Sequence, residues 1–217
     1  MANIPENGSN THGDETRLKL IAAATTVFIE QCFRSARVQQ IAESAGVRLS
    51  AINYHFGGKE GLYLAVLRHH GEQAIAQQPL FSDSQQTLQE QFRFMIHSLL
   101  LRMLDEQQGC QIAPLILREM VSPSAALDDV YQRFQQPQLK QVLSLLQKIL
   151  PQADQPTLLR CALSLFGQCI IYVLARPLIV RVHPQLLLQP DALNDIESHI
   201  VRFSWAGLMA IQEEFHA

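Results

Sequence analysis

Between positions 37 and 59 the chain sets out seven side chains able to grip a large polar ligand. They are the cations Arg37, Arg48 and Lys59, the hydrogen-bonding Ser50, Asn53 and Tyr54, and the apolar Leu49. Guanidinium and ammonium groups pair with anionic oxygens, an amide donates and accepts at once, and a phenol joins an apolar ring to a hydroxyl. No nucleophile–base pair, metal-ligand spacing or phosphate-cradling glycine loop is recognisable in the sequence. The chemistry is recognition, and no metal or cofactor is expected.

Helical spacing explains how these groups come to share a face. Val38, Ile41, Ala42 and Ala45 give a short helix one apolar stripe, with Gln39, Gln40, Glu43 and Ser44 left to solvent. Gly46 ends it, because a residue without Cβ takes the left-handed conformation at no steric cost. The spacing predicts a second helix from about Arg48 to Phe56. Ala51, Ile52, His55 and Phe56 turn inward on it, with His55 read as a packed, hydrogen-bonded histidine, and Leu49, Ser50, Asn53 and Tyr54 turn outward. Gly57 and Gly58 then break the helix, and Lys59 and Glu60 open the next one through Leu62, Tyr63, Val66 and Leu67. Two short helices about one glycine form a helix-turn-helix, whose second helix enters the major groove of DNA. Asn53 is then placed to read a base edge or hold a phosphate, Tyr54 to bond a phosphate or touch a thymine methyl, and Leu49 to make apolar contact. Arg37, Arg48 and Lys59 are placed to position the protein on phosphates.

This stretch resembles the TetR/AcrR family of bacterial transcriptional regulators. The family joins an "IA..AGV" helix to a recognition helix ending in "Y.HF" or "YYF" and then to "G/S-K-E-.-L". The same pieces stand here as Ile41-Ala42, Ala45-Gly46-Val47, Asn53-Tyr54-His55-Phe56 and Gly58-Lys59-Glu60-Gly61-Leu62. Leu117-Arg118-Glu119-Met120-Val121-Ser122-Pro123 resembles the "SREQLSP" stretch of the subgroup that includes CecR. Two positions depart from the family: Arg48 replaces the usual Ser, Thr or Asn, and Arg37 replaces Thr. Those smaller residues cap helices by accepting a backbone N–H bond, which arginine cannot do.

Composition sets the frame. The 217 residues are 47% hydrophobic and 17% charged, with a net charge of −3, enough for a sizeable core but wrong for a protein that coats nucleic acid. Within 34–59, however, Arg34, Arg37, Arg48 and Lys59 face only Glu43, a local basic patch. Residues 1–14 are polar with no secretory apolar run and read as a disordered tail, so a cytoplasmic setting is expected. Cys32, Cys110, Cys161 and Cys169 show no metal spacing and read as free thiols. The uncharged stretch Cys161–Ala175 falls short of the roughly twenty apolar residues of a membrane span and reads as a buried helix.

The remaining periodicity is helical and no strand pattern competes, so the fold expected is all-α. Residues 15–62 are expected to form the three-helix DNA-binding domain, braced by a first helix from about Asp14 to Gln31, and residues 63–217 a larger helical effector-binding and dimerisation domain. Its helices are expected over Lys59–Gln77, 84–106, Ile112–Val121, 124–150 with Pro137 kinking or dividing it, 155–175 and 191–214. The last two are apolar over more of their circumference than one core contact requires.

The resemblance implies that these two helices pair with their copies in a homodimer, which would place two recognition helices roughly 34–36 Å apart on a near-palindromic operator. It also implies a small-molecule pocket whose ligand releases the DNA. The candidate liners, which suit an apolar or amphipathic effector, are Phe92, Met95, Ile96, Leu99, Met103, Leu115, Met120, Tyr131, Phe134, Phe166 and Tyr172. An apolar stripe of Met and Phe is more often plain core, and that reading stays open for each of them. His97 and Arg102 read first as surface residues and second as candidates for polar recognition of an anion or carbonyl, and Arg118–Glu119 is a candidate ion pair. Two other readings stay open, a DNA-binding adaptor regulated by a protein partner and a non-sensing helical enzyme.

Overall fold

A computed structural model describes residues 8–81, 86–104 and 112–215. Every regular element among them is helical, as the periodicity predicts. In chain order they are α1 (Gly8–Glu30), α2 (Val38–Ser44), α3 (Ser50–Phe56), α4 (Lys59–Gln77), α5 (Leu88–Leu104), α6 (Ile112–Val121) and α7 (Leu127–Val130). A π-helical turn (Tyr131–Gln135) follows, then α8 (Gln136–Ile149), α9 (Gln155–Leu174), α10 (Arg176–Val182), α11 (Gln185–Leu188) and α12 (Ala192–Glu214).

Several boundaries correct the sequence reading. Helix α1 begins at Gly8, so residues 8–14 of the expected tail are helical, and 1–7 lie outside the described residues. The expected 84–106 helix starts later, at Leu88, and runs to Leu104; Gln86 and Thr87 precede it unhelical, and 84–85 and 105–106 lie outside the described residues. It opens on a reciprocal cap: Thr87 N donates to Glu90 Oε2 at 2.8 Å, and Glu90 N donates back to Thr87 Oγ1 at 3.3 Å. Pro137 divides the 124–150 region. Lacking an N–H, it sits in the first turn of α8, where a donor is dispensable, and the π turn absorbs the break before it. Helices α10 and α11 were not anticipated.

Contacts divide the chain into two compact units. One is Met1–Gly71 with Pro114–Asp128, the other Glu72–Ala113 with Asp129–Ala217. The expected boundary at 62/63 therefore falls inside α4, and most of α6 belongs with the helix-turn-helix.

In the first unit, α1 packs on α2 and α3, and Leu20, Ile21, Phe28, Ile41, Ile52, Leu62 and Leu67 are fully buried. Arg118 of α6 donates to the terminal carbonyls of α1, reaching Ile29 O at 2.5 Å and Gln31 O at 2.8 Å, with Phe28 O a third acceptor. A guanidinium there satisfies orphan carbonyls and meets the negative end of the helix dipole. Glu119 is 2% exposed and accepts from Tyr63 Oη at 2.8 Å and from Ser124 N and Oγ at 2.9 and 3.0 Å. Burial, then the Glu119 carboxylate, push the Tyr63 phenol well above its usual range, so it remains a donor. The Arg118–Glu119 ion pair expected from the sequence does not form.

In the second unit, α5, α8, α9 and α12 enclose one core containing Phe92, Met95, Ile96, Leu100, Leu146, Leu158, Leu165, Cys169 and Ile200. Glu197 of α12, nearly buried, accepts from Arg93 Nε at 2.7 Å and from His97 Nδ1 at 2.6 Å on α5. Helix α9 has the length and mean hydropathy of a membrane span, 20 residues at 1.7. Leu158, Cys161, Ala162, Leu165, Cys169 and Ile170 on it are committed to packing instead. Cys161 and Cys169 are free and buried, Cys32 is free and exposed, and Cys110 lies outside the described residues.

Candidate nucleic-acid interface

The turn between α2 and α3 is built as the sequence predicts. Gly46 has φ +66°, Gly46 N bonds Glu43 O at 3.0 Å, and Val47 N reaches back to Ala42 O at 3.0 Å. That paired return is the Schellman motif, which closes α2 and redirects the chain. Helix α3 starts at Ser50, two residues later than expected, so Arg48 and Leu49 lie in the turn that leads into it. Arg37, at the N-cap of α2, makes no side-chain cap bond, in keeping with its departure from the family; the N-cap of α3 is Leu49 rather than the expected Arg48 and makes none either.

Burial sorts the recognition helix cleanly. Ile52 is 1% exposed against the unit's core, Ala51, His55 and Phe56 are half-buried, and Ser50 and Asn53 are exposed. Tyr54 is 85% exposed and Leu49 42%. Arg37 and Arg48 are exposed alongside them. Thus Arg37, Arg48, Leu49, Ser50, Asn53 and Tyr54 are all exposed. His55 packs against Tyr54 and Phe56, their ring centroids 4.9 and 6.1 Å away, rather than through a hydrogen bond to its ring among the described residues.

Lys59 is a different case. Its Nζ donates to Arg34 O at 3.2 Å and lies 4.9 Å from the centre of the Phe33 ring, so it braces the loop after α1. Two features escaped the sequence reading. Arg17 of α1 lays its guanidinium 5.5 Å from the centre of the Phe56 ring, adding a cation beside the end of α3. Gly61 lets the first turn of α4 press on α3: a Cβ there would stand 1.8 Å from Phe56 O. The first has no periodic signal, and the second appears only once the two helices are in place.

The expected ligand set does not gather in one place. Phe92, Met95 and Ile96 are fully buried in the core of the second unit, with Leu99, Met103 and Tyr172 partly buried against it. Phe134 is buried in the π turn, Tyr131 is 44% exposed and Phe166 is half-buried on α9. Leu115 and Met120 belong to the other unit, one buried and one 51% exposed. A shallow groove on α8 and the start of α9, lined by Lys140, Leu143, Ser144, Gln147, Lys148 and Gln155, contains none of the eleven.

An exposed, polar second helix set off by a left-handed glycine, where every described element is helical, defines a helix-turn-helix protein. Residues 20–66 match the family described as bacterial regulatory proteins, tetR family, and residues 88–208 match the C-terminal domain of the HTH-type transcriptional dual regulator CecR. The chain belongs to the TetR family of bacterial regulatory proteins, in the group that shares the CecR C-terminal domain.

It is 32% identical to CecR of Shigella flexneri over 139 residues, 56% of this chain and 58% of that protein. It is 36% identical to the transcriptional activator FasR of Mycolicibacterium smegmatis over 69 residues, 32% of each chain. It is also 36% identical to the repressor NicS of Pseudomonas putida over 86 residues, 38% of this chain and 41% of that one. The matches thus span only 58%, 32% and 41% of these relatives' lengths. Among solved structures, FadR of Bacillus subtilis in complex with stearoyl-CoA superposes with a TM-score of 0.66 at 16% identity, covering 88% of this chain and 98% of that one. A regulator from Streptomyces coelicolor does so at 0.64 and 16%, covering 87% and 96%. These relatives are transcriptional regulators rather than enzymes.

Proposed function

We propose that the protein is a cytoplasmic repressor that binds a near-palindromic operator as a homodimer and leaves it when an apolar or amphipathic small molecule binds the second unit. The observation that carries the DNA half is the free face of α3. An 85% exposed tyrosine flanked by exposed Asn53, Ser50 and Leu49 touches only the edge of His55 and contributes nothing to the buried core. Arg37 and Arg48 hold phosphates, and Asn53 and Tyr54 read or grip the duplex.

The dimer half is supported by the outer faces of α9 and α12. Leu163 is 69% exposed, Ile171 48%, Leu174 51% and Phe203 65%. Gly167 and Gly207 open onto clear space where a second helix can approach closely. The α10–α11 segment adds exposed Leu178, Val182, Leu186 and Leu188. Apolar area of this extent on a soluble regulator fits contact with a second copy.

The ligand half rests on the size of the second unit and on the fold shared with a regulator solved with stearoyl-CoA. The packed state of Phe92, Met95 and Ile96 favours a second reading, an adaptor controlled by a protein partner. Release by a ligand requires unequal affinity for two conformers, so an effector must stabilise an opened form of this core.

The test is a mobility shift with palindromic DNA from the gene's own upstream region, run beside a thermal-shift screen of small molecules. The sensor reading expects a complex of one dimer per palindrome and at least one compound that both raises Tm and dissociates it. Stable DNA binding with no stabilising compound favours the adaptor, and no DNA binding at all contradicts both.

A further inference from the structure

Arg102, in the last turn of α5, is a half-buried cation whose hydrogen bonds among the described residues all go to neutral oxygens. Its Nε donates to Gln78 O at 2.6 Å, and its two terminal nitrogens donate to that same carbonyl and to Gln138 Oε1. Gln138 in turn donates from Nε2 to Phe134 O at 2.8 Å in the π turn. One guanidinium thus ties together the residue that follows α4, the end of α5 and the start of α8, all within the second unit.

Withdrawing a guanidinium even partly from water, with no counter-ion among the described residues, is costly, and carbonyl and amide oxygens repay only part of it. Burial accordingly pulls the Arg102 pKa down to about 10, the direction desolvation gives and opposite to that of a paired carboxylate. A planar guanidinium in this condition binds a carboxylate through two parallel hydrogen bonds more strongly than it binds neutral acceptors. The neighbourhood suits an apolar tail. Leu99 and Met103 lie on the same helix, only partly buried at the edge of the core, and methionine adapts its shape readily. A π-helical turn, an element that recurs at functional sites, is joined to Arg102 through Gln138 and the Phe134 carbonyl.

We propose that Arg102 anchors the carboxylate of an amphipathic effector, which takes the guanidinium from the Gln78 carbonyl and so frees the end of α4. The proposal rests on the ligand-sensing reading above and names the chemistry of that ligand. It also gives the ligand a differential contact, since the Arg102–Gln78 bonds exist only in the unliganded arrangement.

The test uses the full chain and two matched series of probes: decanoate, dodecanoate and tetradecanoate against the corresponding primary alcohols. Binding is read from the fluorescence of the single tryptophan, Trp205, which packs 5.5 Å from Phe92 between ring centroids, and DNA release is read by mobility shift. The acids are expected to bind at least about tenfold more tightly than the alcohols, the discrimination one charged hydrogen-bonded contact gives. Arg102→Gln should abolish that preference, bringing acids and alcohols to equal affinity, and Arg102→Lys should restore part of it. Circular dichroism and Tm verify that each variant is folded.

Asp105 and Glu106 follow in the chain outside the described residues. A D105N/E106Q variant should keep or sharpen the acid preference, and its loss there would overturn the anchor. Equal binding of acids and alcohols, with both releasing DNA, would leave the sensor standing and remove Arg102 from it. Failure of every probe to bind would overturn the anchor, and the broader thermal-shift screen decides separately whether the sensor falls with it.

Discussion

Helices α3 and α5 each carry aromatic side chains that invite a functional reading, and they treat them in opposite ways. Tyr54 on α3 is 85% exposed, whereas Phe92 on α5 is 0% exposed beside Met95 and Ile96. A large apolar group left in water by a short helix has no structural reason to be there, so its exposure points outward to a partner. The same kind of group at full burial is already explained by the core it fills. The DNA face can therefore be read from single residues, while the effector site requires a rearrangement or a polar misfit, such as Arg102, to reveal it.

The comparison breaks or holds first on stability. Phe92→Ala should cost about 3–5 kcal/mol in urea unfolding, the range for emptying an aromatic site in a packed core. Tyr54→Ala should cost less than about 0.5 kcal/mol. A small cost at Phe92 would mean that α5 borders open space and that the packed-core assignment is wrong.

The next effect concerns what holds α3 in place. Gly61→Ala sets a methyl group 1.8 Å from Phe56 O, against backbone that cannot swing aside. Overpacking of this kind is expected to cost about 3 kcal/mol and to weaken DNA binding, through a changed angle between α3 and α4. Unaltered Tm and unaltered mobility shift would show that the two helices meet less closely.

A smaller effect tests the inner side of the same unit. Glu119→Gln replaces a carboxylate that accepts three hydrogen bonds with an amide that meets two of the same donors with its own N–H groups or loses one. The expected loss is about 2 kcal/mol, within the range for charged hydrogen bonds. A neutral substitution would mean that α6 is held by Arg118 alone.

Much of this was legible from the chain because the relevant signals are local. Gly46 marks a turn, Pro137 marks a break, and alternating burial around α3 follows from a 3.6-residue period. Arg118 and Glu119 show where locality misleads. Neighbours in sequence point to different sides of a helix, so two opposite charges side by side serve different partners, here the end of α1 and the Tyr63 phenol. Helices α10 and α11 bury no residue, and without a buried stripe there is no periodicity to detect. The contact at Gly61 depends on two elements meeting, which no single window of sequence contains. For the pocket residues, residue type is the same whether a side chain fills a core or faces a ligand.

The most direct measurement is a mobility shift of Tyr54→Ala against the unaltered chain on a palindrome from its own upstream region, with oligomeric state checked by sedimentation. The account predicts that the variant stays a dimer, keeps its Tm and loses at least about tenfold in DNA affinity, the scale of one good base or phosphate contact. A variant that binds the operator as tightly as the original would contradict the assignment of the α3 face and the function built on it.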